Sequence, residues 1–302
     1  MRYITAMSSA PRLFDRPLQR RRLTRALGEG YCDFLLARAV EDLVDRLSAV
    51  KRHFGAALDL GTPTSAAAQA LAATGAVDSI VRAAPAWDNG ADGVGDLVAD
   101  EELPPLAPAS FDLIVSALAL QNVNDLPGAL VQVRRILKPD GLFLAAFLGG
   151  ETLTELRQCF AQAESELEGG VSPRVAPFVD LRDLGGLLQR AGFALPVADV
   201  DRVSVRYGEP LALMRDLRAM GWTNALTERS RRPLRRTTLV RACEIYMERF
   251  AGADGRITAT FDVLWLSGWA PHESQQKPLQ PGTARTRLAD VLPDRSRAPD
   301  QR

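Results

Sequence analysis

The sequence predicts an α/β protein with a parallel sheet flanked by helices on both faces. Three observations carry that prediction. Short apolar runs alternate with amphipathic helical patterns between residues 56 and 148, a spacing that suits parallel strands joined by crossover helices. Turn and cap residues fall between the runs, as at Gly75 and at Asn124-Asp125. The composition, 46% hydrophobic and 25% charged over 302 residues, is that of a globular chain able to bury a large core.

In chain order, "RLFDRPLQRRRLTRAL" (12–27) reads as a basic helix. "LLARAVEDLVDRLSAV" (Leu35–Val50) is a stronger one, with Leu36, Val40, Leu43, Leu47 and Val50 on a single stripe. Both suit packing helices, and a lid over a pocket is the functional alternative. "AALDL" (56–60) is a buried strand, followed by "SAAAQALAATG", a helix closed by Gly75. "DSIVRAA" (78–84), "GDLVADEE" (95–102) and "SFDLIVSALAL" (from 110) supply three more strands. "NDLPGALVQVRRILKPDG" is the clearest helix. Asn124 or Asp125 caps it, Pro127 suits its first turn, and Pro139 and Gly141 stop it before the strand "LFLAAFL" (142–148). Helices follow in "GGETLTELRQCFAQAESELEGG", "DLRDLGGLLQRAGF", "PLALMRDLRAMGW" and "TTLVRACEIYMERF". "LPVADVDRVSVRY" (195–207) and "RITATFDVLWLSGWA" (256–270) read as late strands, and the tail from about Pro281 has no periodicity and reads as disordered.

Several function classes are disfavoured. Lys+Arg and Asp+Glu are equal at 37, so overall charge does not point to nucleic acid. No apolar run is long enough to cross a bilayer. The N-terminus resembles a transit peptide in being Arg-rich and acid-poor, but it has no long apolar core of a secretory signal. Cys32, Cys159 and Cys243 are widely spaced and form no CxxC, which fits reduced thiols in a cytosol-like compartment. The only histidines, His53 and His272, argue against a His-rich metal site and leave few candidates for a Ser-His or Cys-His nucleophile, and neither begins an HxD or HxE pair of a 2-His-1-carboxylate iron site.

The candidate site lies where a doubly wound sheet binds ligands, outside the carboxyl ends of its strands. The first strand ends in "ALDLGTPTS", with Asp59 and Gly61 at a nucleotide-type turn and hydroxyls, Ser65 among them, where further glycines are usual. Pro63 removes one backbone donor. An acid about 20 residues beyond the glycine turn would bind ribose hydroxyls. Here that slot holds Ala83, Ala84 or Pro85, with Asp78 too early and Asp88 too late. Asp100, Glu101 and Glu102 end the third strand, where a carboxylate can accept from an adenine amino group. Gly93 and Gly95 precede a strand, so their likeness to a dinucleotide fingerprint is accidental. Ser116 lies in the fourth strand, and Gln121 and Asn122 follow it, facing a pocket or bracing a loop. His272 and Glu273 could form an acid–base couple.

The pattern "ALDLG…VADEELPPLAPASFDLIVSALAL…NDLPGALVQVRRILKPDGLFLAAF" resembles the class I S-adenosylmethionine-dependent methyltransferases, in the branch of the malonyl-acyl-carrier-protein methyltransferases. "LFDRPLQRRRLTRAL", "LGGETLTELR", "AESELEGGVSPRVAPF", "DLGGLLQRAGF", "LMRDLRAMGWTNAL" and "WAPHESQQKPLQPG" resemble more narrowly the family of the mitochondrial complex I assembly factor with a methyltransferase fold and its alphaproteobacterial relatives. This likeness spans roughly residues 12–284. It implies a Rossmann-like, seven-stranded, mostly parallel sheet with N- and C-terminal helical additions. Residues 1–50 would form a helical cap, 51–284 the methyltransferase-like domain and 285–302 a disordered tail. The resemblance also implies an S-adenosylmethionine site at Asp59, Gly61, Ser65, Asp100, Glu101 and Ser116, with no metal.

Family members usually show a Gly-rich turn, an acid after strand two and "HWVNDLP" after strand four. This chain has "GTPTS", "RAAPA" and "QNVNDLP". Three functions stay open on this reading. The first is methyl transfer to an unknown acceptor, linked to respiratory complex I assembly. The second is arginine hydroxylation of a complex I subunit, which needs an oxidant and for which the sequence offers no evident metal-ligand set. The third is a non-enzymatic assembly chaperone with "MRDLRAMGWTNAL" as a candidate partner surface. The expected location is cytoplasmic, reaching the inner membrane through a partner.

Overall fold

The computed structural model describes residues 12–86 and 95–276. Asp88, Gly93 and the tail from Pro281 lie outside the described residues. The chain divides into two compact units, Met1–Pro271 and His272–Arg302.

Seven strands form one sheet. They are β1 (Phe54–Leu60), β2 (Val77–Ala84), β3 (Gly95–Val98), β4 (Phe111–Ala117), β5 (Leu137–Gly149), β6 (Ala194–Tyr207) and β7 (Ile257–Trp269), in the order β3-β2-β1-β4-β5-β7-β6. Pairing is parallel from β3 through β5, and β7 runs antiparallel to both β5 and β6. The sheet is mostly parallel and Rossmann-like, as the sequence predicts. The chain winds outward through β1, β2 and β3 and then crosses to β4, so the switch point lies between β1 and β4.

The helices are α1 (Arg16–Glu29), α2 (Phe34–Ser48), α3 (Ala66–Thr74), α4 (Leu126–Ile136), α5 (Thr154–Glu168), α6 (Leu181–Arg190), α7 (Pro210–Ala219) and α8 (Arg236–Phe250). Two apolar clusters cover the two faces of the sheet. One includes the stripe Leu36, Val40, Leu43 and Leu47 of α2 together with α3, α5, α7 and α8. The other packs Leu130, Val133 and Ile136 of α4 and Leu184 and Leu188 of α6. Thus α2 is a packing helix. In contrast, α1 buries only Ala26 and is held mainly by polar contacts.

Three boundaries differ from the sequence expectation. Helix α4 stops at Ile136, and "LKPDG" lies within β5. Leu137 pairs with Phe111 before the register jumps to Leu113 and Leu142, and Asp140 takes φ 60° in the bulge. Strand β3 ends at Val98, leaving Asp100–Glu102 in the following turn. Strand β4 ends at Ala117, and Leu118, at φ 52°, turns the chain into a short 3-10 turn, Leu120–Asn122. Asp125, not Asn124, caps α4, its carboxylate accepting from the Gly128 N–H at 2.8 Å. Asn124 instead exchanges hydrogen bonds with the Phe14 backbone, at 2.7 and 3.2 Å.

Candidate functional site

The first turn is built from its own strand outward. Gly61 adopts φ 79°, and its N–H donates to Ala83 O at 2.7 Å. A Cβ on Gly61 would lie 2.8 Å from that of Ala119, so the residue must be glycine. The Thr62 hydroxyl donates to the Asp59 carboxylate and accepts from the Ala117 N–H at 3.1 Å, joining β1 to β4. Arg82, 1% exposed in β2, stands beside Asp59 in the strand register and donates to Thr62 O and Pro63 O at 3.3 and 3.0 Å. Asp59, Ser65 and Ser116 are all buried, and the Ser65 hydroxyl accepts from Gln69 at 3.1 Å. The slot for a ribose-binding acid holds the buried Ala84.

The turn after β3 brings its acids against α1. Arg16 reaches Asp100 at 3.0 Å and Glu101 at 2.7 Å, and Arg20 reaches Asp100 as well. Arg16 also donates to Asn122 O at 3.0 Å. Burial pushes the Glu101 carboxyl up, and Arg16 pulls it back only in part. Burial works against the Arg16 charge too, but Glu101 and Asp100 more than restore it and raise its pKa. For Asp100 burial acts upward, yet the Glu102 N–H and Arg16 hold it below the ordinary aspartate range. Glu101 is 3% exposed and its Oε2 is unpartnered. Gln121 donates to Leu118 O at 2.7 Å, while its buried Oε1 is likewise unpartnered.

These groups surround a cavity of about 130 Å³ at the carboxyl ends of β1 and β4. The polar side chains of Glu101, Gln121 and Asn122 line it, together with the turn residues Gly61, Pro63 and Pro85. Leu148, Leu153, Phe178, Leu217, Met220 and Trp222 line an apolar end, while α1 and the segment Thr223–Leu226 form the cover. Of the six residues expected from the sequence, Gly61 and Glu101 line the cavity. Asp100 is engaged by α1, Asp59 holds the Thr62 hydroxyl, and Ser65 and Ser116 are buried outside the cavity lining. "MRDLRAMGWTNAL" contributes to the cavity wall: Met220 is buried and Trp222 half-buried. The His272 ring meets the Ser274 hydroxyl at 2.7 Å, so His272 and Glu273 do not act as the acid–base couple that their adjacency allows.

Sequence reasoning missed Arg16, Arg20 and Arg82. Each left a trace: Arg16 and Arg20 share one face of a helix, and Arg82 interrupts an apolar strand. Among the described residues no three His, Cys, Asp or Glu side chains gather as metal ligands. The three cysteines are unbridged, and no described helix is long and apolar enough to cross a membrane.

Comparison with known proteins fits this architecture. Residues 58–145 match a methyltransferase domain family. The mitochondrial arginine-hydroxylase NDUFAF5 of Danio rerio is 40% identical over 92% of this chain and 89% of its own length. A malonyl-[acyl-carrier protein] O-methyltransferase of Methylovorus is 34% identical over 88% and 92%. A solved structure titled as a putative methyltransferase from Bacillus halodurans shares the fold, with TM-score 0.52 and 16% identity over 77% of this chain and all of that one. The chain belongs to the methyltransferase-fold family that contains the NDUFAF5 arginine-hydroxylases and the malonyl-[acyl-carrier protein] O-methyltransferases.

Proposed function

We propose that the cavity binds S-adenosylmethionine and that the protein transfers its methyl group to a protein-borne acceptor. The observation that carries this reading is the pair of buried, unpartnered acceptors, Glu101 Oε2 and Gln121 Oε1, beside the Gly61 turn. Adenosine and an amino-acid ammonium are rich in donors, so the residues present fit this group. The missing acid at Ala84 and the ion pairs on Asp100 leave fewer contacts than the family pattern offers. S-adenosylmethionine supplies, when bound, an electrophilic methyl group on a cationic sulfur. Glu101 and Gln121 would hold the donors, and Gly61 would admit the ligand close to the backbone. The cover of α1 and Thr223–Leu226 would exclude water, and the apolar end would align the acceptor.

The acceptor would belong to a subunit of respiratory complex I, as the family resemblance implies, in a cytosol-like compartment with the membrane reached through the partner. Two observations favour other readings. The relatives named arginine-hydroxylases suggest a guanidinium at the same two acceptors. The ion pairs between α1 and Asp100 suit an assembly protein whose cavity stays closed.

Calorimetric titration with S-adenosylhomocysteine tests the proposal. The wild type should bind, and Glu101→Gln should bind at least tenfold more weakly, about 1.4 kcal/mol. No binding at millimolar ligand would remove methyl transfer and leave the guanidinium and closed-cavity readings.

A further inference from the structure

The arginines of this chain are unevenly placed. Between residues 12 and 25 there are six arginines and one acid, and between 228 and 236 five arginines and one acid, in a chain whose total charge is zero. The fold brings these segments together. Asp15 N donates to Ala225 O at 2.8 Å, and Thr227 N donates to Leu13 O at 2.9 Å. Arg22 donates to Thr223 O at 2.6 Å, and Arg229 pairs with Asp15 at 3.2 Å.

Some of these arginines are already engaged. Arg16 and Arg20 are held by the β3 acids, and Arg25 stands 3.9 Å from Glu29. Arg12, Arg21, Arg231, Arg232, Arg235 and Arg236 are exposed and form no ion pair among the described residues. Burial lowers the Arg22 pKa first, and the neighbouring charges of Arg229 and Arg25 lower it further, as expected where like charges crowd together. The first of these segments covers the cavity together with Thr223–Leu226, and the second follows directly after that stretch, so the unpaired arginines flank the cover.

We infer that this basic collar, centred on Arg12, Arg21, Arg231 and Arg232, is the docking surface for an acidic segment of a protein partner, delivered at the mouth of the cavity. Guanidinium forks pair with carboxylates bidentately, and a one-signed field concentrates and orients an oppositely charged partner. A membrane surface fits less well. Interfacial helices pair a basic face with a broad apolar one. Here Leu13 is the large apolar residue left exposed within the two segments, while Leu18, Leu23 and Leu234 are partly buried. The inference rests on the proposed function only in assigning the partner's reacting group to the cavity. The docking surface does not require methyl transfer.

The test uses the full-length chain without cofactor and a fluorescein-labelled peptide of about twelve glutamates, followed by anisotropy at about 50 and 500 mM salt. The triple variant R21E/R231E/R232E should bind about tenfold or more weakly than wild type at low salt, with the difference gone at high salt. The variant R182E/R190E/R256E makes the same charge change at exposed arginines elsewhere and should stay within about threefold of wild type. Circular dichroism melts check that both variants fold. Equal weakening in both variants would mean that net charge alone acts and would overturn the inference. So would absence of peptide binding. Collar-dependent binding to phosphatidylcholine–phosphatidylglycerol vesicles with none to the peptide would overturn it in favour of a lipid surface. Failure here leaves the calorimetric result standing, and calorimetric failure leaves this one standing.

Discussion

Arg82→Met removes the guanidinium that braces the first turn from inside the sheet. Arg82 is 1% exposed, and its Nη2 donates to two carbonyls, Thr62 O at 3.3 Å and Pro63 O at 3.0 Å. A hydrogen bond from a charged donor contributes about 1.5–3 kcal/mol, and burial leaves little solvent to replace it. The longer of the two lies at the weak end of that range. Beside Arg82 in the register is Asp59, also fully buried, which would lose a neighbouring positive charge. Removing one member of a buried charged cluster costs about 3–5 kcal/mol, in line with the sum over the two bonds.

The compact unit Met1–Pro271 would unfold with an entropy of about 0.6 kcal/mol per kelvin, at ~2.1 cal/mol/K for each residue. The expected fall in Tm is therefore about 5–9 °C by differential scanning calorimetry. Arg82→Lys keeps the charge but only one flexible donor head, and should lose about half as much. A Tm for Arg82→Met within about 2 °C of wild type would refute the assignment of Arg82 as the brace of this turn.

Gly61→Ala places a side chain at φ 79° and 2.8 Å from Ala119 Cβ. A loss of about 2–4 kcal/mol in urea unfolding is expected from backbone strain and overpacking, and a loss below about 0.5 kcal/mol would contradict it. The pH dependence has a definite sign. Burial opposes ionisation of Asp262, but Arg202 at 2.7 Å and the Glu151 N–H at 2.9 Å outweigh it and depress its pKa. Glu164 is likewise depressed, with burial opposed by Ser172 and Arg174. The unfolded chain therefore takes up these protons first, so the stability from both groups is complete above about pH 5 and is lost as pH falls through about 4 and below. Urea midpoints measured from pH 7 to pH 3 should fall over that window, and less steeply in Asp262→Asn. An unchanged slope in that variant would count against the Arg202 pairing.

The sequence by itself determined most of the elements. Strands such as "AALDL" and helices such as "LLARAVEDLVDRLSAV" are legible because burying one face imposes a period on neighbouring residues. Gly61, Asp100 and Glu101 were legible as candidates because a turn that needs positive φ and acids after a strand leave local signs, and of these Gly61 and Glu101 line the cavity. Only the tertiary structure decided what those acids meet. Arg16 and Asp100 are 84 residues apart, and no local period relates α1 to the turn after β3. The insertion of β7 between β5 and β6 is likewise a matter of long-range pairing, since the strand pattern of β7 does not specify its neighbours. Arg82 stands between the two cases. Its charge in an apolar strand was visible, but its role depends on carbonyls about twenty residues earlier, brought within reach by the parallel pairing of β1 and β2.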